Sequence, residues 1–189
     1  MVKKIKKINC IFLDRDGTLI KPIKKHSSTR FKLRPPYNIS EFLVYSDLNY
    51  LNYFKKKYIF IIISNQPDLV TGEQSYKFHN FINRQIKKHI PIKEFFFCEC
   101  LKDNINCKCY KPKSLMIKKA ILKYNISIKH SFFVGDTWRD IEMANKCNIK
   151  SILIDRGYYK SMKNDFLERN ITSNYFIKSF SQLKTIVEL

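Results

Sequence analysis

Glycine is scarce in this chain of 189 residues, which contains only four. A chain so poor in glycine keeps it where the backbone needs a positive φ or a close approach that a side chain would prevent. Two of the four, Gly17 and Gly135, stand directly beside Asp16 and Asp136. The scarcity therefore draws attention to those two aspartates.

Long hydrophobic runs are also absent. The longest, residues 58–63 and 95–98, fall far short of the ~20 apolar residues that a membrane helix needs. The amino-terminal lysines are followed by a short apolar stretch that ends at Asp14, unlike a secretory signal. The hydrophobic fraction of 44% is ordinary for a globular protein. We therefore expect one globular domain over residues 1–189, cytoplasmic, monomeric and without membrane contact.

Negative charge is scarce too, with 16 acidic against 36 basic residues and a formal net charge of +20. A basic surface binds phosphate polymers because it releases their counterions. However, the chain is rich in Lys, Ile, Asn, Tyr and Phe, and its lysines are spread along its whole length. An AT-rich genome produces this composition, so we favour codon bias and keep nucleic-acid binding as the alternative. Either origin favours anionic ligands.

Short apolar runs alternate with helical patterns along the chain. Strands are predicted at residues 8–13, 58–63, 95–97, 131–134, 151–154 and 175–177. Helices are predicted at residues 41–57 (behind an N-cap at Ser40), 75–89, 114–124, 138–147, 163–169 and from 179. The polar, proline-containing residues 21–38 are predicted as a long loop. The alternation predicts an α/β fold with a doubly wound, Rossmann-like parallel sheet and no separate cap domain.

Polar residues follow three of the predicted strands. They are Asp14 and Asp16 after the first, Ser64 and Asn65 after the second, and Asp136 and Asp140 after the strand ending at residue 134. In a parallel sheet these ends share one edge, where ligands bind. Neighbouring carboxylates repel one another, and a metal ion or a shared proton relieves that repulsion. Each residue alone also fits a cap, a turn or a solvated charge, but the set together predicts catalysis.

The set resembles the four motifs of the haloacid dehalogenase (HAD) superfamily of phosphohydrolases, over about residues 8–158. Asp14-Arg15-Asp16-Gly17-Thr18 resembles the first motif and Ser64 the second. Lys111, within Tyr110-Lys111-Pro112, resembles the third. Gly135-Asp136-Thr137-Trp138-Arg139-Asp140 resembles the fourth. The resemblance implies a HAD-like fold and an enzyme that hydrolyses phosphate esters.

Each motif residue has a chemical role in such a reaction. Asp14 is the expected nucleophile, forming an aspartyl-phosphate. Asp16 is the expected acid and base, and must hold a proton to protonate the leaving oxygen. Ser64 and the backbone of Asn65 are expected to hold the phosphoryl oxygens, while Lys111 balances charge in the transition state.

The remaining assignments concern magnesium and substrate. A phosphate monoester repels a carboxylate nucleophile, so a divalent cation is expected between them. Carboxylate oxygens suit Mg²⁺, and the expected ligands are Asp14, Asp16 and Asp136, with Asp140 as a ligand or an orienting residue behind them. Thr18, Asn65, Arg34 and Arg139 are the expected substrate contacts.

Four of the six cysteines fall in the segment 98–109: Cys98, Cys100, Cys107 and Cys109. Two thiol pairs in one short loop suit a tetrahedral structural Zn²⁺. Disulfides and redox sensing are the alternatives, and a cytosolic setting disfavours the first. Cys10 and Cys147 lie on predicted strand and helix faces and are expected to be small core residues.

The cysteine segment narrows the resemblance to subfamily IIIA of the superfamily, which includes heptose bisphosphate and histidinol-phosphate phosphatases. That branch carries a zinc loop just before the Lys-Pro motif. In this chain Cys100 stands where the branch typically has His, and Tyr110 stands where an Arg usually precedes the motif lysine. The resemblance implies Mg²⁺ and Zn²⁺ as cofactors and a small phosphorylated sugar as substrate.

Two loops are expected to shape the pocket, the cysteine loop and residues 21–38. Arg30, Lys32 and Arg34 on the second loop fit either a second anionic group of the substrate or, as we favour, solvated charge. A 3′-phosphatase of nucleic-acid ends is another enzymatic possibility. A basic nucleic-acid-binding module on an inactive scaffold is the non-enzymatic one, against which the three intact acids argue.

Overall fold

A computed structural model describes residues 6–25 and 32–188 of the protein. Its eight strands are β1 (Cys10–Leu13), β2 (Ile23–Lys25), β3 (Lys32–Arg34), β4 (Ile59–Asn65), β5 (Ile92–Cys98), β6 (Phe132–Gly135), β7 (Lys150–Ile154) and β8 (Tyr175–Ile177). Six of them form one sheet in the order β5-β4-β1-β6-β7-β8. Every neighbouring pair in that sheet is parallel.

The strand order confirms the doubly wound, Rossmann-like sheet. The chain builds the sheet outward from β1 through β4 to β5, then returns to build β6, β7 and β8 on the other side. The direction reverses between β1 and β6, and in such sheets ligands bind at the carboxyl ends on either side of that reversal. Asp14 and Asp136 therefore lie where the fold opens a crevice.

Five α-helices cover the two faces of the sheet: α1 (Tyr76–His89), α2 (Leu115–Tyr124), α3 (Trp138–Lys146), α4 (Tyr159–Glu168) and α5 (Leu183–Val187). Successive strand residues point to opposite faces. Ile11 therefore joins the core with Ile86 of α1. Phe12 joins the opposite core with Ile117 of α2 and Met143 of α3. Both faces of the central strands β1, β4 and β6 are buried, so these strands are nearly continuous apolar runs.

The predicted helix at residues 41–57 is the main difference from the sequence expectation. The structure has two 3₁₀ helices there, Ile39–Glu41 and Ser46–Phe54. The buried residues of the longer one, Leu48, Leu51 and Phe54, recur every third residue, the period of a 3₁₀ helix rather than of an α-helix. The predicted N-cap at Ser40 is also wrong, because Asn38 caps the first turn.

Smaller differences concern element bounds. The predicted loop at residues 21–38 contains an antiparallel hairpin of β2 and β3. Strand β5 begins at Ile92 and helix α4 at Tyr159, both earlier than predicted. Within residues 6–25 and 32–188, the strands and helices are joined without an inserted cap domain. No helix in that part of the chain is long and apolar enough to cross a bilayer.

Candidate active site

Three buried aspartates meet at the reversal of the sheet. Asp14 follows β1, while Asp136 and Asp140 lie at and just beyond the end of β6, and one carboxylate oxygen from each lies within 4.8 Å of the others. All three side chains are buried. The backbone N–H of Asp14 donates to the carbonyl of Val134 at 2.9 Å, which ties the two strand ends together. We call these three residues the acid cluster.

Lys111 supplies a positive charge to the acid cluster. Its Nζ donates to Asp14, to Asp140 Oδ1 at 2.6 Å and to the carbonyl of Ile63 at 3.1 Å. Burial lowers the pKa of Lys111, but the charges and hydrogen bonds of the two aspartates more than offset this effect. The pKa of Lys111 therefore lies above its usual value, and the ammonium stays charged.

One ammonium does not balance three carboxylates. Burial raises the pKa of Asp14 well above its usual value. The positive charge of Lys111 lowers this pKa, and the negative charges of Asp140 and Asp136 raise it further. Burial and the charge of Asp140 raise the pKa of Asp136 to about 6. The acid cluster is thus short of positive charge at neutral pH.

The two acids after β6 are fixed in orientation by their neighbours. Asp136 accepts hydrogen bonds from Thr18 Oγ1 at 3.0 Å and from the Tyr158 hydroxyl at 2.6 Å. Asp140 Oδ2 accepts from the backbone N–H of Thr137 at 3.1 Å and from its hydroxyl at 2.7 Å, at the start of α3. Thr18, predicted to touch substrate, is fully buried and holds Asp136 instead.

Asp16 lies outside the acid cluster, although it was predicted as a magnesium ligand beside Asp14. Its carboxylate accepts from Arg15 Nε at 3.0 Å, from Gln66 Nε2 at 2.5 Å and from Ser64 Oγ at 3.5 Å. The side chains of Asp14 and Asp16 therefore have different surroundings. Asp14 contacts a buried lysine, whereas Asp16 contacts an arginine, one side-chain amide and a hydroxyl.

A cavity of about 290 Å³ opens over these groups. It is lined by nearly all of the predicted catalytic and substrate-binding residues: Asp14, Asp16, Arg34, Ser64, Asn65, Lys111 and Arg139. Asp140, Tyr37, Asp68 and Tyr110 also line it. The volume is at the lower end of the range for small-molecule sites. The fold thus brings residues separated by more than a hundred positions to one small pocket.

The arginines at the cavity are held in different ways. Arg34 forms a bidentate pair with Glu41 at 2.7 and 2.6 Å and lies 4.3 Å from the centre of the Tyr37 ring. The expectation that Arg34 is solvated charge is therefore wrong. Arg139 lies 4.6 Å from the centre of the Trp138 ring. Arg30 lies outside the described residues, as does the side chain of Lys32.

Asn65 connects the second and third motifs. Its Oδ1 accepts from the backbone N–H of Lys111 at 2.8 Å, and its Nδ2 donates to the carbonyl of Lys111 at 3.4 Å. The lysine is thereby held from its backbone as well as from its ammonium. This contact places the end of the cysteine loop against the end of β4.

The cysteine loop lies between β5 and α2 and gathers four sulfurs. The Sγ atoms of Cys98, Cys100, Cys107 and Cys109 lie within 4.8 Å of one another, and we call them the cysteine cluster. Three of the Sγ–Sγ separations are 3.5, 3.6 and 3.8 Å. A tetrahedron with Zn–S bonds of ~2.3 Å has edges of about 3.8 Å, so these three separations fit zinc. Cys98 and Cys109 are closer and are joined as a disulfide in the structure, which is the alternative to zinc for these two thiols.

One thiol of the cluster is surrounded by donors. The backbone N–H of Tyr110 donates to Cys107 Sγ at 3.3 Å. Burial raises the pKa of the Cys107 thiol, but hydrogen bonds from Cys100 and from the backbone of Tyr110 lower it below its usual value. Thiolate is the form that binds metal. Cys10 is fully buried as predicted, and Cys147 is partly buried against the same core.

Several residues at the site were not predicted from the sequence. Tyr158 reaches Asp136 from beyond β7, and nothing in its sequence neighbourhood marks it. Arg15 is fully buried and contacts Gln66, His79 and Asn83. The sequence did contain a signal for His79 and Asn83, because these two residues lie four positions apart beside the apolar stripe of α1.

Comparison with known proteins agrees with this geometry. A family model described as HAD-hydrolase-like matches residues 108–183. The D-glycero-alpha-D-manno-heptose-1,7-bisphosphate 7-phosphatase of Photorhabdus laumondii is 30% identical over 180 residues, which are 87% of this chain and 93% of that protein. The chain therefore belongs to the HAD-like hydrolase family.

One further protein sequence and one solved structure are also similar to this chain. The histidine biosynthesis bifunctional protein HisB of Actinobacillus pleuropneumoniae is 30% identical over 154 residues, which are 75% of this chain but only 39% of HisB. The crystal structure of D,D-heptose 1,7-bisphosphate phosphatase from B. bronchiseptica, complexed with magnesium and phosphate, has a TM-score of 0.74 at 17% identity. That match covers 96% of this chain and 99% of the other and confirms the fold.

Proposed function

We propose that the protein is a Mg²⁺-dependent phosphatase that hydrolyses a small phosphorylated sugar through an aspartyl-phosphate. The observation that carries the proposal is one cavity lined by Asp14, Asp16, Ser64, Lys111 and Asp140, with buried Asp136 beside it. A carboxylate nucleophile, a second carboxylate for proton transfer, hydroxyl and amide donors and a buried ammonium are together what phosphoryl transfer from an ester requires.

Each residue at the cavity has a separate role in the reaction. A carboxylate oxygen of Asp14 attacks phosphorus, and the bond from phosphorus to the leaving oxygen breaks. Asp16 gives a proton to that oxygen, then takes one from the water that hydrolyses the aspartyl-phosphate. Ser64 and the backbone of Asn65 hold the phosphoryl oxygens, and Lys111 keeps Asp14 in place and offsets charge at the transferred group.

The acid cluster fits a magnesium ion. Three buried carboxylates share one ammonium, and the raised pKa values of Asp14 and Asp136 reflect that shortage of positive charge. Carboxylate oxygens are the ligands that Mg²⁺ prefers. Asp14 and Asp136 would hold the ion, with Asp140 beside them. When bound, Mg²⁺ supplies the positive charge that lets an anionic nucleophile approach an anionic ester.

The cysteine cluster supports a second, structural metal. Three of the Sγ separations fit a zinc site, all four Sγ atoms lie within 4.8 Å of one another, and the loop leads directly into Lys111. We propose that Zn²⁺ joins both ends of the loop and so fixes the approach of Lys111 to the cavity. Zinc in this role supports the shape of the site and takes no part in the bond changes.

The best specific substrate is D-glycero-D-manno-heptose 1,7-bisphosphate, with hydrolysis at the 7-phosphate. The P. laumondii relative, whose name carries this activity, aligns over nearly its whole length. Arg34 and Arg139 line the cavity and are candidates to contact the second phosphate. Histidinol phosphate is the second candidate because several bifunctional HisB proteins match the chain, although only over part of their length.

A substrate panel tests the proposal. Purified protein with Mg²⁺ is given heptose 1,7-bisphosphate, heptose 7-phosphate, histidinol phosphate and a 3′-phosphorylated oligonucleotide, and phosphate release is followed. We expect the highest kcat/KM for the bisphosphate. A preference for histidinol phosphate would support the second candidate. A preference for the oligonucleotide would overturn the sugar proposal and connect the net charge of +20 to the substrate.

A further inference from the structure

Arg15 is a fully buried guanidinium between the two aspartates of the first motif. Its Nε and one Nη2 hydrogen form a fork on Asp16, at 3.0 and 3.2 Å. The second Nη2 hydrogen points to Gln66 Oε1 at 2.5 Å. The two Nη1 hydrogens are directed to His79 Nδ1 at 3.0 Å and Asn83 Oδ1 at 3.3 Å. An arginine side chain has five N–H donors, and all five have acceptors here.

On the side of α1, the hydrogen bond between Arg15 and His79 can have only one direction. A guanidinium has no free lone pair, so His79 Nδ1 must accept the hydrogen bond and the ring must carry its proton on Nε2. Burial and the charge of Arg15 lower the pKa of His79 to about 4, so the ring is neutral at pH 7. Its edge also packs against the Phe97 ring, with ring centres 4.4 Å apart.

Gln66 completes the network on the side of the second motif. Arg15 holds its carbonyl oxygen, which turns its amide nitrogen toward Asp16 Oδ2 at 2.5 Å and Ser64 Oγ at 2.8 Å. Asp16 is thus contacted by a planar fork and by an amide that the same fork orients. Neither contact reaches the acid cluster.

We propose that Arg15 is the positioning residue for Asp16, and that His79 and Asn83 of α1 act through Arg15 to set where Asp16 transfers its proton. The inference rests on the proposed function, because it assigns Asp16 to proton transfer. It makes α1 part of the proton-transfer machinery, although no residue of α1 lines the cavity.

The dependence of kcat/KM on the leaving group of the ester can distinguish a positioning role of Arg15 from a general structural role. An ester with a good leaving group, such as p-nitrophenyl phosphate, needs little protonation of the departing oxygen, whereas an alkyl phosphate needs it fully. Removing the His79 acceptor with His79→Leu should therefore lower kcat/KM by about 10- to 100-fold for the alkyl phosphate. For p-nitrophenyl phosphate the loss should be about threefold or less.

Three variants sharpen the measurement. His79→Gln restores a carbonyl acceptor and should recover most of the activity on alkyl phosphate. His89→Leu changes an exposed histidine at the end of the same helix and should leave both rates unchanged. Arg15→Lys keeps the charge, loses the fork and should reproduce the selective loss even if His79→Leu fails to fold.

The outcomes divide clearly. Equal losses on both esters in folded His79→Leu and Arg15→Lys, with no recovery in His79→Gln, would overturn the positioning role. Asp14→Asn is assayed alongside, because it tests the proposed function itself. If Asp14→Asn abolishes turnover while the ester selectivity is absent, only the positioning inference fails. If Asp14→Asn keeps full turnover, the proposed function fails first.

Discussion

The acid cluster and the cysteine cluster both place ligand-type side chains within 4.8 Å of one another, but the fold builds them differently. Strand ends of the sheet hold the acid cluster, and Lys111, Thr18 and Tyr158 already fix its members. The cysteine cluster consists of Cys98 at the end of β5 and three cysteines of the loop that follows, and this loop also carries exposed residues such as Ile105. A metal at the first should therefore serve the reaction, whereas a metal at the second should serve the structure of the loop.

The largest effect should come from Asp14→Asn, which removes the nucleophile but leaves the shape of the acid cluster. We expect kcat to fall by at least about 10⁴-fold, the scale seen when a covalent nucleophile is lost. Zinc content, measured by metal analysis, should not change. The exposed Asp103 on the cysteine loop gives the matched control, since Asp103→Asn should retain full activity. Undiminished Mg²⁺-dependent turnover in Asp14→Asn would falsify the assignment.

The next largest effect is expected for Lys111→Met. The substitution leaves three buried carboxylates without a counter-charge, and breaking a buried ion pair in this way costs about 3 to 5 kcal/mol. Urea unfolding without metal should show that loss, and Mg²⁺ should restore part of it. We also expect a fall in kcat of about 10²- to 10³-fold.

Lys113→Met is the control for that experiment, because Lys113 contacts the carbonyl of Cys107 and not an acid. If both variants lost the same stability and responded equally to Mg²⁺, Lys111 would have no special role as the cation of the acid cluster.

The cysteine cluster should show a smaller effect on rate. We expect about one zinc per chain in freshly purified protein, and loss of that zinc in Cys107→Ser. Activity should fall by roughly tenfold, because the loop before Lys111 loosens while the acids stay in place. Cys147→Ser changes a cysteine outside the cluster and should keep both zinc and activity. Full activity in a wild-type preparation that contains no zinc would overturn the proposal that this loop needs a structural metal.

The smallest effect is a pH dependence confined to the acid cluster. The pKa of Asp136 is raised from 3.8 to about 6, so the folded state holds its proton more tightly than the unfolded state. Metal-free protein should therefore lose stability as pH rises through this window. Mg²⁺ replaces the proton above it, and should raise Tm by roughly 5 °C more at pH 7.5 than at pH 5.

Sodium chloride at equal ionic strength is the control for the Tm measurement, since it screens charge without occupying the cluster. Asp136→Asn should reduce the difference between the two pH values and leave the part that comes from Asp14, whose pKa is also raised. An Mg²⁺ effect that is equal at both, in the wild-type protein, would show that Asp136 is not the group responsible.

The sequence predicted the parts of the site that depend on the sheet. Asp14, Ser64 and Asp136 follow buried strands, and parallel strands bring such residues to one edge whatever the loops do. It did not predict that the carboxylates of Asp14 and Asp16 would have separate partners. That difference depends on side-chain direction and on Arg15, whose partners in α1 come more than sixty residues later.

The remaining errors have local physical causes. Residues 41–57 have the composition of a helix, but the buried residues of Ser46–Phe54 recur with a period of three, and that part is a 3₁₀ helix. Tyr158 comes from a loop after β7 and reaches Asp136 through tertiary packing alone. A single sequence carries no signal for such a contact.

The two glycines at the acid cluster, Gly17 and Gly135, limit which substitutions the chain can accept at those positions. A methyl group on Gly17 would overlap Asp136 and the Tyr158 hydroxyl, and one on Gly135 would overlap Asp140. The chain has kept only four glycines. At these two, substitution meets a steric limit, because even alanine would displace a carboxylate. The empty volume beside each acid is thus as much a requirement of the site as the acids are.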